Sequence, residues 1–463
     1  MTANIEALEK HKIGKLIADY SVPAIIGMLV MASYNIVDRI FVGRGVGTTA
    51  ISAIAITFPI NIVIMGFAQL VGMGSTALVS IKLGEKKKEE AERIIENGFL
   101  MALCISVSLS VLISLTMNPL VALLGGVGEV HTYATQFLSI MVLGIPLQFV
   151  SFALNGVIRA QGSPRIALVT ILISGILNII LNPICIMVLH LGIRGSATAT
   201  VISQFVGASW VMIYFTGRWS YLKLRRISFD RQVISRITMI GVSPLIMQVA
   251  GSLIMFVFNK TLYTYGGNLA IAAMGIGMSL MMVVMMPIYG LNQGIQPIIG
   301  FNYGAKHIDR VIETFRKGII LATTVCVAGF LAVMLFSADI VALFNAEDKQ
   351  FIALGGRALK IAVLMLPLNG FQVVSWAYFQ AVGKPKQAMM LTVTKQILFV
   401  IPLVVILPRF FGLDGVWIAL PVADFLAACL AAVLLLLEVR RLRELKSSLK
   451  TQLSGAETLS TPR

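Results

Sequence analysis

Charged side chains are scarce in this sequence: Asp, Glu, Lys and Arg make up 13% of its 463 residues, against 57% hydrophobic ones. That ratio excludes a water-soluble globule, because no soluble core buries so much apolar surface, and it leaves lipid as the solvent. Histidine is rarer still. His11, His131, His190 and His307 are scattered, and there is no His-Glu-x-x-His frame, Walker A loop or Gly-x-Ser-x-Gly elbow. The chain therefore reads as a protein that is not an enzyme and carries no cofactor. Cys104, Cys185, Cys326 and Cys429 fall inside apolar stretches without metal-ligand or disulfide spacing, and read as small core residues.

What the chain has instead is apolar runs of the ~20 residues that a hydrocarbon layer ~30 Å thick demands. They predict an all-α polytopic membrane protein with twelve transmembrane helices, near 15–42, 50–80, 94–118, 131–159, 165–189, 193–215, 237–262, 269–300, 313–337, 353–381, 387–408 and 412–437. The plan occurs twice, about 220 residues apart. Leu143-Gly144-Ile145-Pro146 returns as Leu364-Met365-Leu366-Pro367, Ala160-Gln161-Gly162-Ser163-Pro164 as Ala381-Val382-Gly383-Lys384-Pro385, and Gly192-Ile193-Arg194-Gly195 as Gly412-Leu413-Asp414-Gly415. Repeats of six spans start and end on one side of the membrane, so the copies are parallel and related by an axis along the membrane normal. The expected division is a first six-helix lobe at 1–216, a basic linker at 217–236, a second six-helix lobe at 237–437 and a polar, frayed tail at 438–463. A central cleft lies between the two pseudo-symmetric bundles.

The net charge of +16 would suit nucleic acid, but the placement of the basic residues follows membrane topology. Lys10 to Lys15, Lys82 to Arg93, Arg159 and Arg165, Arg218 to Arg236, Lys306 to Lys317, Lys384 and Lys386, and Arg440 to Lys450 all fall on one side of the spans. The positive-inside rule makes that side cytoplasmic, with both termini on it, and no nucleic-acid partner is expected. The partners expected are a small-molecule substrate and the bilayer. Each chain contains a whole pathway, so a functional monomer is expected.

An acid inside a span is costly and defaults to a functional candidate. Two of the 21 acids qualify, Asp38 and Asp424. Asp38 ends the first span, and its repeat mate is Asn259. Asn178 and Asn182 stand one turn apart and share a helix face, where their amides would coordinate a cation, hold Asp38 or simply glue helices together. Thr200 adds a hydroxyl from the sixth span. Lys395 and Asp424, opposite in sign on the last two spans, form a candidate structural ion pair. Cleft candidates are Tyr34, Asn35 and Gln161 in the first lobe, and Gln248, Asn259, Met282, Met286, Gln293 and Gln296 in the second. Met282 and Met286 belong to a stripe that reads either as packing or as an adaptable apolar surface.

Val37-Asp38 followed by Gly47-Thr48-Thr49-Ala50-Ile51-Ser52-Ala53, then Arg159-Ala160-Gln161-Gly162-Ser163-Pro164, and Gly294-Ile295-Gln296-Pro297-Ile298-Ile299-Gly300-Phe301-Asn302-Tyr303-Gly304-Ala305 together carry a resemblance. From about Lys15 to Leu437 the sequence resembles the multidrug and toxic compound extrusion family, in its bacterial DinF-like branch. The resemblance implies two six-helix bundles around a V-shaped cleft in the bacterial plasma (inner) membrane. It also implies secondary active export of amphipathic or cationic small molecules in exchange for H⁺ or Na⁺. The family's coupling site maps onto Asp38, Asn178, Asn182 and Thr200, a possible seat for a monovalent cation. Many relatives have Asp where Asn182 stands, so one formal charge is missing here, and a lone carboxylate favours H⁺ over Na⁺. A dedicated exporter of a self-made metabolite and a lipid-linked precursor flippase of the same superfamily are the alternatives.

Overall fold

The computed structural model describes residues 2–225, 228–342 and 348–459. Arg226 of the expected linker and the last four residues of the expected tail lie outside the described residues. Lipid offers no partner for backbone N–H and C=O groups, so a chain this apolar closes its hydrogen bonds within helices.

Ten helices are long and apolar enough to cross a membrane. One of them, Arg231–Gly304, breaks at Gly267, whose φ of 62° belongs to the left-handed region, and so comprises two spans. The pair Lys349–Ala362 and Leu366–Ala381, bent by 46°, makes another, which brings the spans among the described residues to twelve. Spans one to six are Ile13–Gly45, Thr48–Gly84, Lys88–Leu123, Gly128–Ala160, Pro164–Val188 and Ile193–Thr216. Spans seven to twelve are 231–266, 268–304, Ile308–Ala342, the bent pair, Pro385–Ile406 and the helix that follows a second left-handed glycine, Gly412.

Two expectations need correction. The tenth span, expected unbroken over 353–381, is two helices, because Pro367 has no N–H to offer the carbonyl of Val363. The tail, expected to fray after Arg440, continues as helix to Leu459. Leu442 is buried there, Glu438 pairs with Lys384, and Lys446 Nζ lies 2.6 Å from Asp309 Oδ1.

The linker folds onto the first lobe. Gln161 Oε1 accepts from Ser220 Oγ and from Leu222 N, both at 3.1 Å. Glu92 Oε1 accepts from Lys223 N at 3.1 Å, and Asn97 Oδ1 from Asp230 N at 2.7 Å. Asp230 then caps the seventh span by accepting from Gln232 N and Val233 N.

The two halves meet along a seam of glycines at the end that carries the basic loops. A Cβ on Gly84 would stand 2.0 Å from Phe301 O, and one on Gly304 would stand 2.1 Å from Ile81 O. Spans two and eight touch backbone to backbone, as small residues permit in membranes. Toward the opposite face Ile36, Ile40, Phe256 and Met282 are exposed. The bundles thus meet backbone to backbone at the basic end, whereas these side chains toward the other end stand uncovered.

A short helix, Thr2–Lys10, precedes span one, and sequence reading missed it. Its Leu8 is fully buried. Arg310, which opens span nine in the other half, donates from Nη2 to Leu8 O at 2.9 Å and to His11 O at 2.8 Å, and from Nε to Asn302 Oδ1 at 2.9 Å. This is a latch across the seam. Hydrogen bonds from a charged donor contribute ~1.5–3 kcal/mol each. Arg310→Ala is expected to raise protease cleavage at Lys10 or Lys12 severalfold in sealed vesicles with the basic face outward, with spans intact.

Candidate functional site

Three spans of the first lobe each bring two polar side chains one helical turn apart. Span one gives Tyr34 and Asp38, span five Asn178 and Asn182, and span six, running the other way, Thr200 and Ser196. Side chains four residues apart stack on one face, so the six form two tiers. In the outer tier Asp38 Oδ1 accepts from Asn182 Nδ2 in a short contact and from Ser196 Oγ at 2.6 Å. In the inner tier Asn178 Nδ2 donates to Thr200 Oγ1 at 3.1 Å.

The outer tier is unevenly satisfied. Asn182 is fully buried, yet its Oδ1 has no hydrogen-bond partner. Both donors converge on Oδ1 of Asp38, and among the described residues none donates to Oδ2. The outer tier thus offers two oxygens, Asn182 Oδ1 and Asp38 Oδ2, as acceptors without a donor among the described residues. No group of three or more His, Cys, Asp or Glu that could hold a metal ion exists among the described residues. An ion here would be held by one carboxylate with neutral oxygens.

The inner tier opens into a cavity of about 200 Å³ inside the first lobe. Tyr34, Asn178 and Thr200 line it, with Met28, Met31 and Phe152 as apolar walls. Gln293 reaches in from span eight, its amide 3.4 Å from the Met28 sulfur. Arg159 is the charged residue of the lining, and its Nη1 donates to Asn155 Oδ1 at 2.6 Å.

The other cleft candidates scatter. Asn35 is exposed on the face of span one that carries Met28, its Nδ2 bonded to Met31 O at 2.7 Å. Gln248 is half-buried and touches Gly66 across the seam. Asn259, three turns beyond on the same face of span seven, is exposed, as is Met282, whereas Met286 is half-buried. Gln296 is buried in the seam with Nε2 unpartnered. Gln161 lies away from both cavity and cleft, because its side chain is spent on the linker.

In the second lobe Lys395 Nζ lies 2.7 Å from Asp424 Oδ1. Asn369 and Gln372, which sequence reading passed over, complete the group. Their oxygens accept from Lys395 Nζ at 3.0 and 2.9 Å, and their nitrogens donate to Asp424 Oδ2 at 3.0 Å and Asp424 O at 2.7 Å. A methionine-lined cavity of about 180 Å³ adjoins it, walled by Met247, Met281 and Met285. Lys395 is the second residue of a π-helical stretch, Thr394–Val400, where Pro402 leaves the carbonyl of Leu398 without its usual donor.

Ser196 was also missed, although it stands one turn from Thr200. Ser196→Ala removes one of the two donors to Asp38. Transport at saturating ion is expected to stay near wild type while the ion concentration for half-maximal transport changes about 3- to 10-fold, in line with ~0.7–1.4 kcal/mol for one hydrogen bond.

The profile of the MatE family matches residues 23–184 and 244–406, one block in each half. The chain belongs to the MatE family, the multidrug and toxic compound extrusion transporters. Its relatives include the multidrug export protein MepA of Staphylococcus haemolyticus, 30% identical over 443 residues, which cover 95% of this chain and 97% of that one. An outward-facing multidrug resistance MATE transporter of the MOP superfamily superposes with a TM-score of 0.88 at 25% identity, over 96% of this chain and 99% of the other. A MATE crystal structure in a bent conformation gives 0.89 at 25% identity, over 96% and 98%. The chain is thus a multi-pass membrane protein of a transporter family, and the twelve spans form the two bundles of the MATE fold.

Proposed function

We propose that this MATE protein exports amphipathic small molecules, cationic ones among them, from the bacterial cytoplasm by antiport, and that the exchanged ion binds in the outer tier around Asp38. The observation that carries this reading is the stacking of the tiers. Each residue of the ion tier is joined through one helical turn to a residue of the cavity tier, so an ion that tightens Asp38, Asn182 and Ser196 moves Tyr34, Asn178 and Thr200. Ion and substrate then have a common set of helices on which to compete, and each weakens the other's binding by the same factor.

The placement of basic loops supports a cytoplasmic basic face, which makes the present cleft open to the outside. Substrate leaves in this state while the ion enters. For a neutral substrate, one positive charge moving down ~100 mV supplies about 2.3 kcal/mol, and 1.4 kcal/mol is tenfold in concentration. One-for-one exchange for a monovalent cation moves no net charge and draws on the ion's concentration gradient alone.

A single carboxylate with neutral oxygens suits H⁺, and Na⁺ is the rival because hard cations take oxygen ligands. The test is efflux of a fluorescent amphipathic cation from vesicles under an imposed pH gradient and, separately, an imposed Na⁺ gradient. Transport driven by the pH gradient alone is expected. Transport indifferent to both would overturn the antiport reading in favour of a flippase or of a metabolite exporter with another energy source.

A further inference from the structure

We propose that the second lobe contains an ammonium-recognition site that the chain fills with its own Lys395, a tethered ion in place of an exchangeable one. Three oxygens surround Lys395 Nζ, Asp424 Oδ1 at 2.7 Å, Gln372 Oε1 at 2.9 Å and Asn369 Oδ1 at 3.0 Å. That number equals the donors of a primary ammonium. The oxygens do not need Lys395 to aim them. Asp424 consumes the amide nitrogens of both Asn369 and Gln372, which leaves each amide with its oxygen toward the cation. Such a cage is organised before its cation arrives.

The internal repeat shows what this cage displaces. On the offset that pairs Pro367 with Pro146, Asn369 and Gln372 correspond to Gln148 and Ser151. On the offset that pairs Gly412 with Gly192, Asp424 corresponds to Gln204. Lys395 falls between these anchors, at Ser174 or Gly175. All of these first-lobe positions line the first-lobe cavity, and Ser151 Oγ and Gln204 Oε1 are buried there without partners. The same site is open, neutral and unsatisfied in one lobe, and charged and satisfied in the other.

Lys395 and Asp424 are the charged residues lining the two cavities beside the cage. Removing the ammonium alone would leave an uncompensated carboxylate at membrane depth, which then takes up a cation. The second lobe so holds its charge constant through the cycle, and the exchanged ion is confined to Asp38. That consequence for stoichiometry rests on the antiport reading. The cage itself does not, and its test reads binding rather than transport.

Truncation of Lys395 to Ala removes three carbons and the ammonium, which n-propylammonium restores. Purified Lys395→Ala protein, prepared and kept in n-propylammonium and then exchanged into graded concentrations, is followed by thermal unfolding beside wild type and the neutral double variant Lys395→Ala/Asp424→Asn. The expected result is a midpoint that rises with n-propylammonium in Lys395→Ala alone, with at least about tenfold tighter apparent binding than in wild type. Tetramethylammonium, which has no N–H to donate, is expected to give no such rise. An equal response in wild type would show that Lys395 is readily displaced, and would overturn the tethered-ion assignment. No response in Lys395→Ala would also overturn it, as would failure to recover folded Lys395→Ala in n-propylammonium when the double variant folds.

Discussion

Asp38→Asn protein is expected to bind substrate almost as wild type does and to lose ion-driven transport by about 100-fold, the upper part of the range for coupling free energies. The asymmetry follows from the tiers. Asp38 does not line the first-lobe cavity, whereas Tyr34, one turn away, does. An asparagine keeps a carbonyl oxygen for the Ser196 hydroxyl and the Asn182 amide, so the outer tier loses its charge more than its shape. A neutral amide takes up neither H⁺ nor a cation with much preference for one conformation, and a ligand of equal affinity for both states shifts nothing. The measurement is equilibrium substrate binding to purified protein beside efflux from vesicles under the driving gradient. Full gradient-driven efflux by Asp38→Asn would remove Asp38 from the coupling step.

Gly84→Ala is expected to hold the transporter away from the state described here and to reduce turnover at least about tenfold. The added methyl meets Phe301 O at 2.0 Å and Ala305 N at 2.8 Å, both backbone atoms that no rotamer change removes. Overpacking of this kind costs ~1–3 kcal/mol, and it is paid only while the seam is closed. Two states of similar energy would shift by about 10- to 100-fold toward the one with the seam apart. A cysteine at exposed position Asn35, in a background with the exposed Cys104 and Cys429 replaced by serine, reports it. Labelling by an impermeant maleimide from the open face should fall in the Gly84→Ala protein. Unchanged labelling and turnover would show that the seam does not separate during transport.

The twelve spans were legible because lipid permits so few alternatives: an apolar run of sufficient length must be helical. The breaks were harder. Pro146 and Pro367 are repeat mates, yet the first sits within an unbroken helix and the second follows a 46° bend. Asp38 stood out because a carboxylate in a span is rare, and Asn178 with Asn182 because their spacing is one turn. Ser196 did not stand out, since hydroxyls in spans usually bond to their own helix. Thr198 and Ser203 nearby do so, to Arg194 O and Ala199 O. Gln161 was misleading for the opposite reason: a polar residue at the end of a span looks available until a loop closes on it. Gln148 and Ser151 carry no charge and no pattern of their own. Only their repeat mates around Lys395 mark them.

The pinned linker turns span seven into a lever. Asn97 holds Asp230 N and Asp230 caps the helix, so its first turn moves with the first lobe. Asn259 lies 28 residues beyond Arg231, about 42 Å at 1.5 Å per residue along a straight helix. A tilt of about 10° about that fulcrum displaces Asn259 by about 7 Å, while Gly241, nearer the pivot, slides past Leu70 of span two by a little over a third of that. Travel is thus greatest where the cleft is widest and least where backbone meets backbone, so the mouth can widen in the state described here before the seam itself has to part.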